Sequence, residues 1–216
     1  MTAVLEKRGR LLIFAPVPVY GSPEGWFVER QAANGLRLWT EHFDHLTVMM
    51  PHIGGPPPTG WIPAEEVGPN LERVKILPLP QAWVLARFAR VYRKTRSTIR
   101  QEIARADYLS FSIGGLVGDW GAVSCLQAHA MGRRFGVWTD RVESELVRFE
   151  SGAGFGSLKS RIKKRVIWRL MAMLEKFVIK RSTIGLFHGQ QRTLALGLCI
   201  ASARCCGSAV RGALVG

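Results

Sequence analysis

Five consecutive apolar residues stand behind a single cation in Arg10-Leu11-Leu12-Ile13-Phe14-Ala15. So short and unbroken an apolar run suits a strand buried on both faces, as strands of a parallel sheet are. Comparable runs recur at His45 to Met50 (closed by Pro51), Val74 to Leu79, Asp107 to Ile113, Arg134 to Thr139 and Thr183 to Phe187. Stretches of helical period separate them. Val28, Ala32, Leu36 and Trp39, with Phe27 beside them, predict a helix starting near Glu24, whose carboxylate suits the positive end of the helix dipole. Leu85, Phe88, Tyr92, Ile99 and Ile103 form a stripe within Ala82 to Arg105, and Arg96 within it is expected to snorkel or to meet a partner. Asp119 to Met131 is a shorter helix. Ser157 to Arg181 carries Leu158, Ile162, Val166, Leu170, Met173 and Phe177 in i, i+3 and i+4 rhythm, with Ser157 as candidate N-cap. Prolines and Gly21 bar helix or central strand from Pro16 to Pro23, and Pro51 to Asn70, with Pro56-Pro57-Pro58, is expected as a surface loop. Strand and helix in alternation predict an α/β fold, a single Rossmann-like domain with a mostly parallel sheet and helices on both faces. No internal repeat has a usable period.

A chain of 216 residues suits one such domain and is short for two. Its net charge of +14, from 30 basic and 16 acidic residues, asks for an anionic partner: nucleic acid, a membrane surface or a phosphorylated substrate. Two helical stretches hold much of that charge. Arg87 to Arg105 has seven cations against Glu102, and Lys159 to Arg181 has nine against Glu175. Basic amphipathic helices suit an anionic membrane surface. No nucleic-acid module or aromatic stacking platform accompanies them, which counts against nucleic acid as the partner. The longest uncharged apolar stretches, Leu11 to Tyr20 and Thr193 to Ala203, fall short of the ~20 residues that span a bilayer. Pro16 and Pro18 break the first, so the basic N-terminus reads as the lead into a strand and not as a signal peptide. Cys125, Cys199, Cys205 and Cys206 contain no C-x-x-C pair, so no zinc site is expected; Cys125 reads as a core hydrophobe, and the setting as reducing and cytoplasmic.

Ligands of open α/β sheets bind beyond the carboxyl ends of the strands. Four segments are expected there: Pro16 to Gly25, Ile113 to Asp119, Asp140 to Glu145, and His188-Gly189. The first lacks a G-x-G-x-x-G fingerprint, which rejects a standard dinucleotide site. Gly21 and Gly25 can still let backbone N–H groups at a helix start approach an anion or sugar, or simply form a turn. Asp140 closes an apolar strand, where a carboxylate can orient a hydroxyl or accept its proton, and Arg141 beside it can hold a phosphate. The competing reading makes Asp140 an N-cap with Glu143 completing a capping box. His188, at the end of the last strand, is a site candidate or a solvated side chain. No other histidine has metal-like spacing, and no G-x-S-x-G elbow is present.

The sequence changes character near its end. Glu175 is the last acidic residue, and 17 of the 27 residues from Gln190 are Ala, Gly, Cys, Arg or Ser. A flexible basic terminus or a weak apolar helix fits that text. So does an out-of-frame read of a GC-rich gene, which is the preferred expectation for residues 190–216.

Leu11-Leu12-Ile13-Phe14-Ala15-Pro16, a Gly/Pro loop, and Phe27-Val28-Glu29-Arg30-Gln31 entering a helix resemble the start of family-four-type glycosyltransferases of GT-B architecture. Thr47 to Pro51, Gly136 to Asp140 and Thr183 to Gly189 resemble later strands of the same half, so the resemblance covers roughly residues 10 to 189. It implies that residues 1–189 are the N-terminal, acceptor-side domain of an enzyme whose other half binds a nucleotide sugar through a Glu-x7-Glu-type motif. Transfer of this type is typically retaining and metal-independent, so no cofactor is implied; the nucleotide sugar is a substrate. Asp140 falls where the family often has a polar residue serving the acceptor hydroxyl. Gly21, Ser22, Arg141, Glu143 and His188 are the implied acceptor-side contacts. With no acidic residue after Glu175, the Glu-x7-Glu motif has no place here. The expectation is a truncated enzyme, inactive alone, that would need a second chain for its donor site. A sugar or lipid-linked acceptor at the inner membrane face is the implied partner. The alternative is a basic α/β module that binds an anionic membrane surface or nucleic acid.

Overall fold

The computed structural model describes residues 9–23, 25–67, 73–115, 117–139 and 158–187. The expected α/β architecture is present. Along the chain run β1 (Arg10–Phe14), β2 (Val19–Ser22), β3 (Gly25–Glu29), α1 (Arg30–Thr40), β4 (His45–Ile53), β5 (Trp61–Pro63), a 3-10 turn (Ala64–Val67), β6 (Val74–Pro80), α2 (Leu85–Arg105), β7 (Tyr108–Ser112), α3 (Trp120–Ala130), β8 (Gly136–Thr139), α4 (Leu158–Arg181) and β9 (Ile184–Phe187).

Six of these strands form a parallel sheet in the order β6-β4-β1-β7-β8-β9. Counted among themselves they run 3-2-1-4-5-6, the Rossmann order. Direction of travel across the sheet reverses between β1 and β7, so a crevice opens at their carboxyl ends. Alternation along β1 divides the core. Leu11 and Ile13 face α1 with Leu46, Val48, Met50, Ala33 and Leu36. Leu12 and Phe14 face α2, α3 and α4 with Phe111, Val137, Ile99, Ile103 and Val178.

Three expectations need correction. The segment after β1 is not all loop. Past Pro16 and Pro18, Val19–Ser22 pairs antiparallel with Gly25–Glu29 and parallel with the end of β4, so α1 begins at Arg30 and not near Glu24. Val28 is fully buried as a strand residue.

Second, β4 runs through Pro51 to Ile53, and β5 and the 3-10 turn occupy part of the expected Pro/Gly loop. Pro51 is tolerated for a geometric reason. The Met49 carbonyl accepts from Ala15 N–H on the β1 side. Two residues on, the N–H that Pro51 lacks would point the same way, into the gap between the end of β1 and the start of β2. Pro78 and Pro80 lie on β6, an edge strand where proline is at home.

Third, Val166, Leu170, Met173 and Phe177 of α4 are exposed, while Met171, Val178 and Ile179 are buried. The helix carries apolar residues on two sides, and the stripe offset from the expected one is the one that packs inward. Arg181 at its end donates to His129 Nε2 at 3.1 Å and lies 3.6 Å over the Phe177 ring.

Gly121 sets how closely α3 approaches the sheet. A Cβ there would overlap the Ser112 carbonyl and lie 2.7 Å from Phe14 Cδ1. Gly121→Ala is therefore expected to destabilise the fold by about 3 kcal/mol, read as a fall in the urea midpoint. Gly35, inside α1 with nothing within 4 Å of an added Cβ, gives the opposite expectation. Gly35→Ala should stabilise by about 0.5–1 kcal/mol.

Candidate functional site

The crevice between β1 and β7 is a cavity of about 470 Å³. The strand ends supply its floor: Phe14 and Pro16 after β1, Pro51 in β4, Ser112 and Ile113 after β7, and Thr139 at the end of β8. Its wall is the turn that carries Gly114, Gly115, Val117, Gly118 and Asp119, and Trp83 stands at its mouth. Cavities of this size and position suit small ligands.

The turn is shaped by one carboxylate. Asp119 caps α3: its Oδ1 accepts from Ala122 N–H at 3.0 Å, and its Oδ2 accepts from Gly114 N–H at 3.0 Å and Gly115 N–H at 2.9 Å. Burial pushes the Asp119 carboxyl above its ordinary value, against the lowering effect of backbone N–H groups of Gly114, Ala122, Gly115 and Gly121. Gly118 has φ +80°, and a Cβ there would come 2.6 Å from the Ala82 carbonyl oxygen. The turn thus lies directly against the segment that leads into α2. Trp120 Nε1 donates to the Pro80 carbonyl at 2.8 Å, which ties the start of α3 to the end of β6. Cys125, fully buried behind this turn, is the expected core hydrophobe, and burial raises its thiol well above the ordinary range.

Chemically the described lining is a binding surface. Phe14, Pro16, Pro51, Val117 and Trp83 are apolar, and Ser112 and Thr139 add hydroxyls. Both oxygens of Asp119 are engaged by backbone N–H groups, so that carboxylate organises the turn. Among the described residues no group of three metal-ligating side chains exists, and no helix is long and apolar enough to cross a membrane.

Gly21 and Ser22 lie in β2, paired with Trp26 and Gly25, and not at a helix start. Neither lines the cavity. An added Cβ at Gly21 would sit 3.0 Å from the Trp26 ring and 3.4 Å from His52 Nε2, so this glycine makes room for the Trp26–His52 edge contact. Asp140, Arg141, Glu143 and His188 lie outside the described residues, as does 190–216. Thr139, the residue before Asp140, lines the cavity. Gly118 and Asp119 fall in the expected edge segment Ile113 to Asp119 without an individual role, and Gly121 and Trp83 were not expected at the site. A signal for three of them exists: Gly115, Gly118 and Gly121 recur at intervals of three directly after an apolar strand, with the capping Asp119 between them.

These features define an α/β domain of Rossmann strand order with a ligand-sized cavity at its topological switch point. No protein-family model matches the chain, and no curated protein matches it. Among solved structures it is similar to a UGT transferase from Siraitia grosvenorii in complex with UDP, at 14% identity and TM-score 0.33. The match covers 66% of this chain and 30% of that one.

Asp119→Ala, which removes three backbone hydrogen bonds, is expected to lower stability by about 1–2 kcal/mol in urea unfolding, and Asp119→Asn by less. The pH dependence has a definite sign. Because the folded carboxyl holds its proton more tightly than the unfolded one, its contribution is fully present in acid and is lost as pH rises through the folded value. Unfolding midpoints of Asp119→Asn across that range should lack this decline.

Proposed function

We propose that this domain is the acceptor-side half of a nucleotide-sugar-dependent glycosyltransferase, one that transfers a hexosyl group to a polysaccharide or lipid-linked acceptor. The observation that carries the proposal is the ligand-sized cavity at the carboxyl ends of β1 and β7, in a chain whose strand and loop text resembles the GT-B acceptor domain over roughly residues 10 to 189. The acceptor lies in that cavity, against the turn from Gly114 to Asp119. Asp140 orients the acceptor hydroxyl or takes its proton, and Arg141 holds a phosphate. Glu143 and His188 complete the contacts there, and Gly21 and Ser22, in β2 outside the cavity, meet only a part of the acceptor that extends beyond it. A nucleotide sugar is the second substrate, bound by a donor half that this domain does not contain, so the domain alone does not transfer sugar. No cofactor takes part.

The mouth of the cavity favours an amphiphilic acceptor. Trp83, Val84 and Leu85 are 61%, 66% and 67% exposed, three apolar residues in a row beside the opening. Exposed Arg87, Arg90, Arg93 and Lys94 follow on α2. An apolar lip backed by cations suits an anionic membrane surface presenting a lipid-linked sugar, at the cytoplasmic face. The same cations support a second reading, a basic module that binds anionic surfaces or nucleic acid without sugar chemistry.

Binding of a short-chain lipid-linked sugar, followed by calorimetry, tests the first reading. Trp83→Ser should weaken it about tenfold, as loss of one buried aromatic contact does, with little change in melting temperature. An unchanged affinity would remove Trp83 and the cavity mouth from the site. Duplex DNA binding that falls steeply with salt, without any lipid-linked sugar binding, would favour the second reading.

A further inference from the structure

A second cavity, of about 420 Å³, opens at the opposite rim of the sheet. It lies where β1, β4 and β6 begin and α2 ends. Arg10, His45, Arg73, Lys75, Glu102 and Arg105 carry its ionisable groups, four permanent cations against one carboxylate. The carboxylate is already shared: Glu102 Oε1 accepts from Lys75 Nζ at 2.9 Å and from Arg105 Nη1 at 3.2 Å. That pairing fixes both cations at the cavity wall. Arg73 differs. Its Nη1 is buried and has no hydrogen-bond partner among the described residues. A buried guanidinium nitrogen left unpaired costs stability unless a ligand satisfies it.

The oxygen acceptors around this rim already take hydrogen bonds, and Asp107 and Asp44 keep their negative charge. The carbonyls of Ile103, Ala106 and Asp107, at the negative end of α2, accept from the Arg133 guanidinium. Asp107 accepts from Arg10 N–H at 2.8 Å, and Asp44 from Gly9 N–H at 3.3 Å.

We propose that this amino-terminal rim is a phosphate-binding site, with Arg73 as its central donor and Lys75 and Arg105 as flanking cations, for a phosphomonoester or diphosphate group. Planar guanidinium forks match phosphate oxygens in pairs, which a general positive field does not. The site lies at the opposite end of the five-residue β1 from the acceptor cavity, about 15 Å along the strand, and is independent of sugar transfer. The phosphate belongs either to a soluble compound or to a lipid headgroup.

Isothermal titration of the full chain with inorganic pyrophosphate at low salt tests the site. Saturable binding is expected. Arg73→Gln should weaken it about tenfold or more, and Arg73→Lys by less, since it keeps the charge and loses the fork. Arg37→Gln, on the surface of α1 where it pairs with Glu41, should leave it unchanged. Thermal melts establish that each variant folds; if Arg73→Gln does not, Arg105→Gln carries the same expectation of about tenfold weakening. Absence of saturable binding overturns the proposal, as does equal binding by all folded variants. Co-sedimentation with phosphatidylcholine vesicles carrying phosphatidic acid separates the two sources. Recruitment that pyrophosphate reverses identifies a headgroup, and pyrophosphate binding without recruitment identifies a soluble phosphate.

Discussion

The contact between Gly121 and the end of β7 governs the geometry of the carboxyl edge. Because residue 121 has no Cβ, the first turn of α3 rests directly on the Ser112 carbonyl and the Phe14 ring. That closeness puts Asp119 within reach of three backbone N–H groups, two of them in the preceding turn. The turn is thereby folded back over the strand ends, and a cavity forms where a looser helix would leave an open groove. Gly118 repeats the device one turn earlier against Ala82. Two glycines and one carboxylate thus convert the reversal of strand order between β1 and β7 into a half-open cavity.

The two edges of the sheet differ in chemistry. At the carboxyl edge, apolar side chains and hydroxyls surround a cavity, and the one carboxylate among its described lining residues, Asp119, is taken up by structural bonds. At the amino edge, cations gather around a shared Glu102. The net charge is therefore not spread evenly. Some of it lies on the exposed face of α2, and some converges on a cavity far from the proposed acceptor. An apolar lip with cations behind it, and a cationic cavity on the other edge, give the chain two separate grounds for meeting phosphate-rich surroundings.

Much of the fold was legible in the sequence because parallel strands buried on both faces leave short, continuous apolar runs. β1, β6, β7 and β8 fall where such runs predict them. Local signals failed where tertiary position overrode them. Pro51 ends a strand on propensity grounds, yet its missing N–H faces a gap between two neighbours and costs no ladder bond. Val19 to Ser22 reads as loop because of flanking prolines, yet it finds a partner in β4 as well as in the next strand. On α4, apolar residues on two sides leave the inward one undetermined until α3 is in place. At the site, the edge from Ile113 to Asp119 followed from the rule that ligands bind beyond strand ends. The role of Asp119 did not, because a capping carboxylate looks the same in sequence whether it closes a helix or also holds a cavity wall. Asp140 and His188, chosen for standing at strand ends, fall outside the described residues.

Amide chemical-shift mapping of the isotope-labelled chain during titration with a short-chain lipid-linked sugar tests the central claim most directly. Glycine amides at 114, 115 and 118 are well placed reporters of the cavity wall. The account predicts saturable shifts at these three and at Ser112 and Thr139. Shifts confined to Arg73, Lys75 and Arg105, or no shifts around the cavity at saturating ligand, would contradict it.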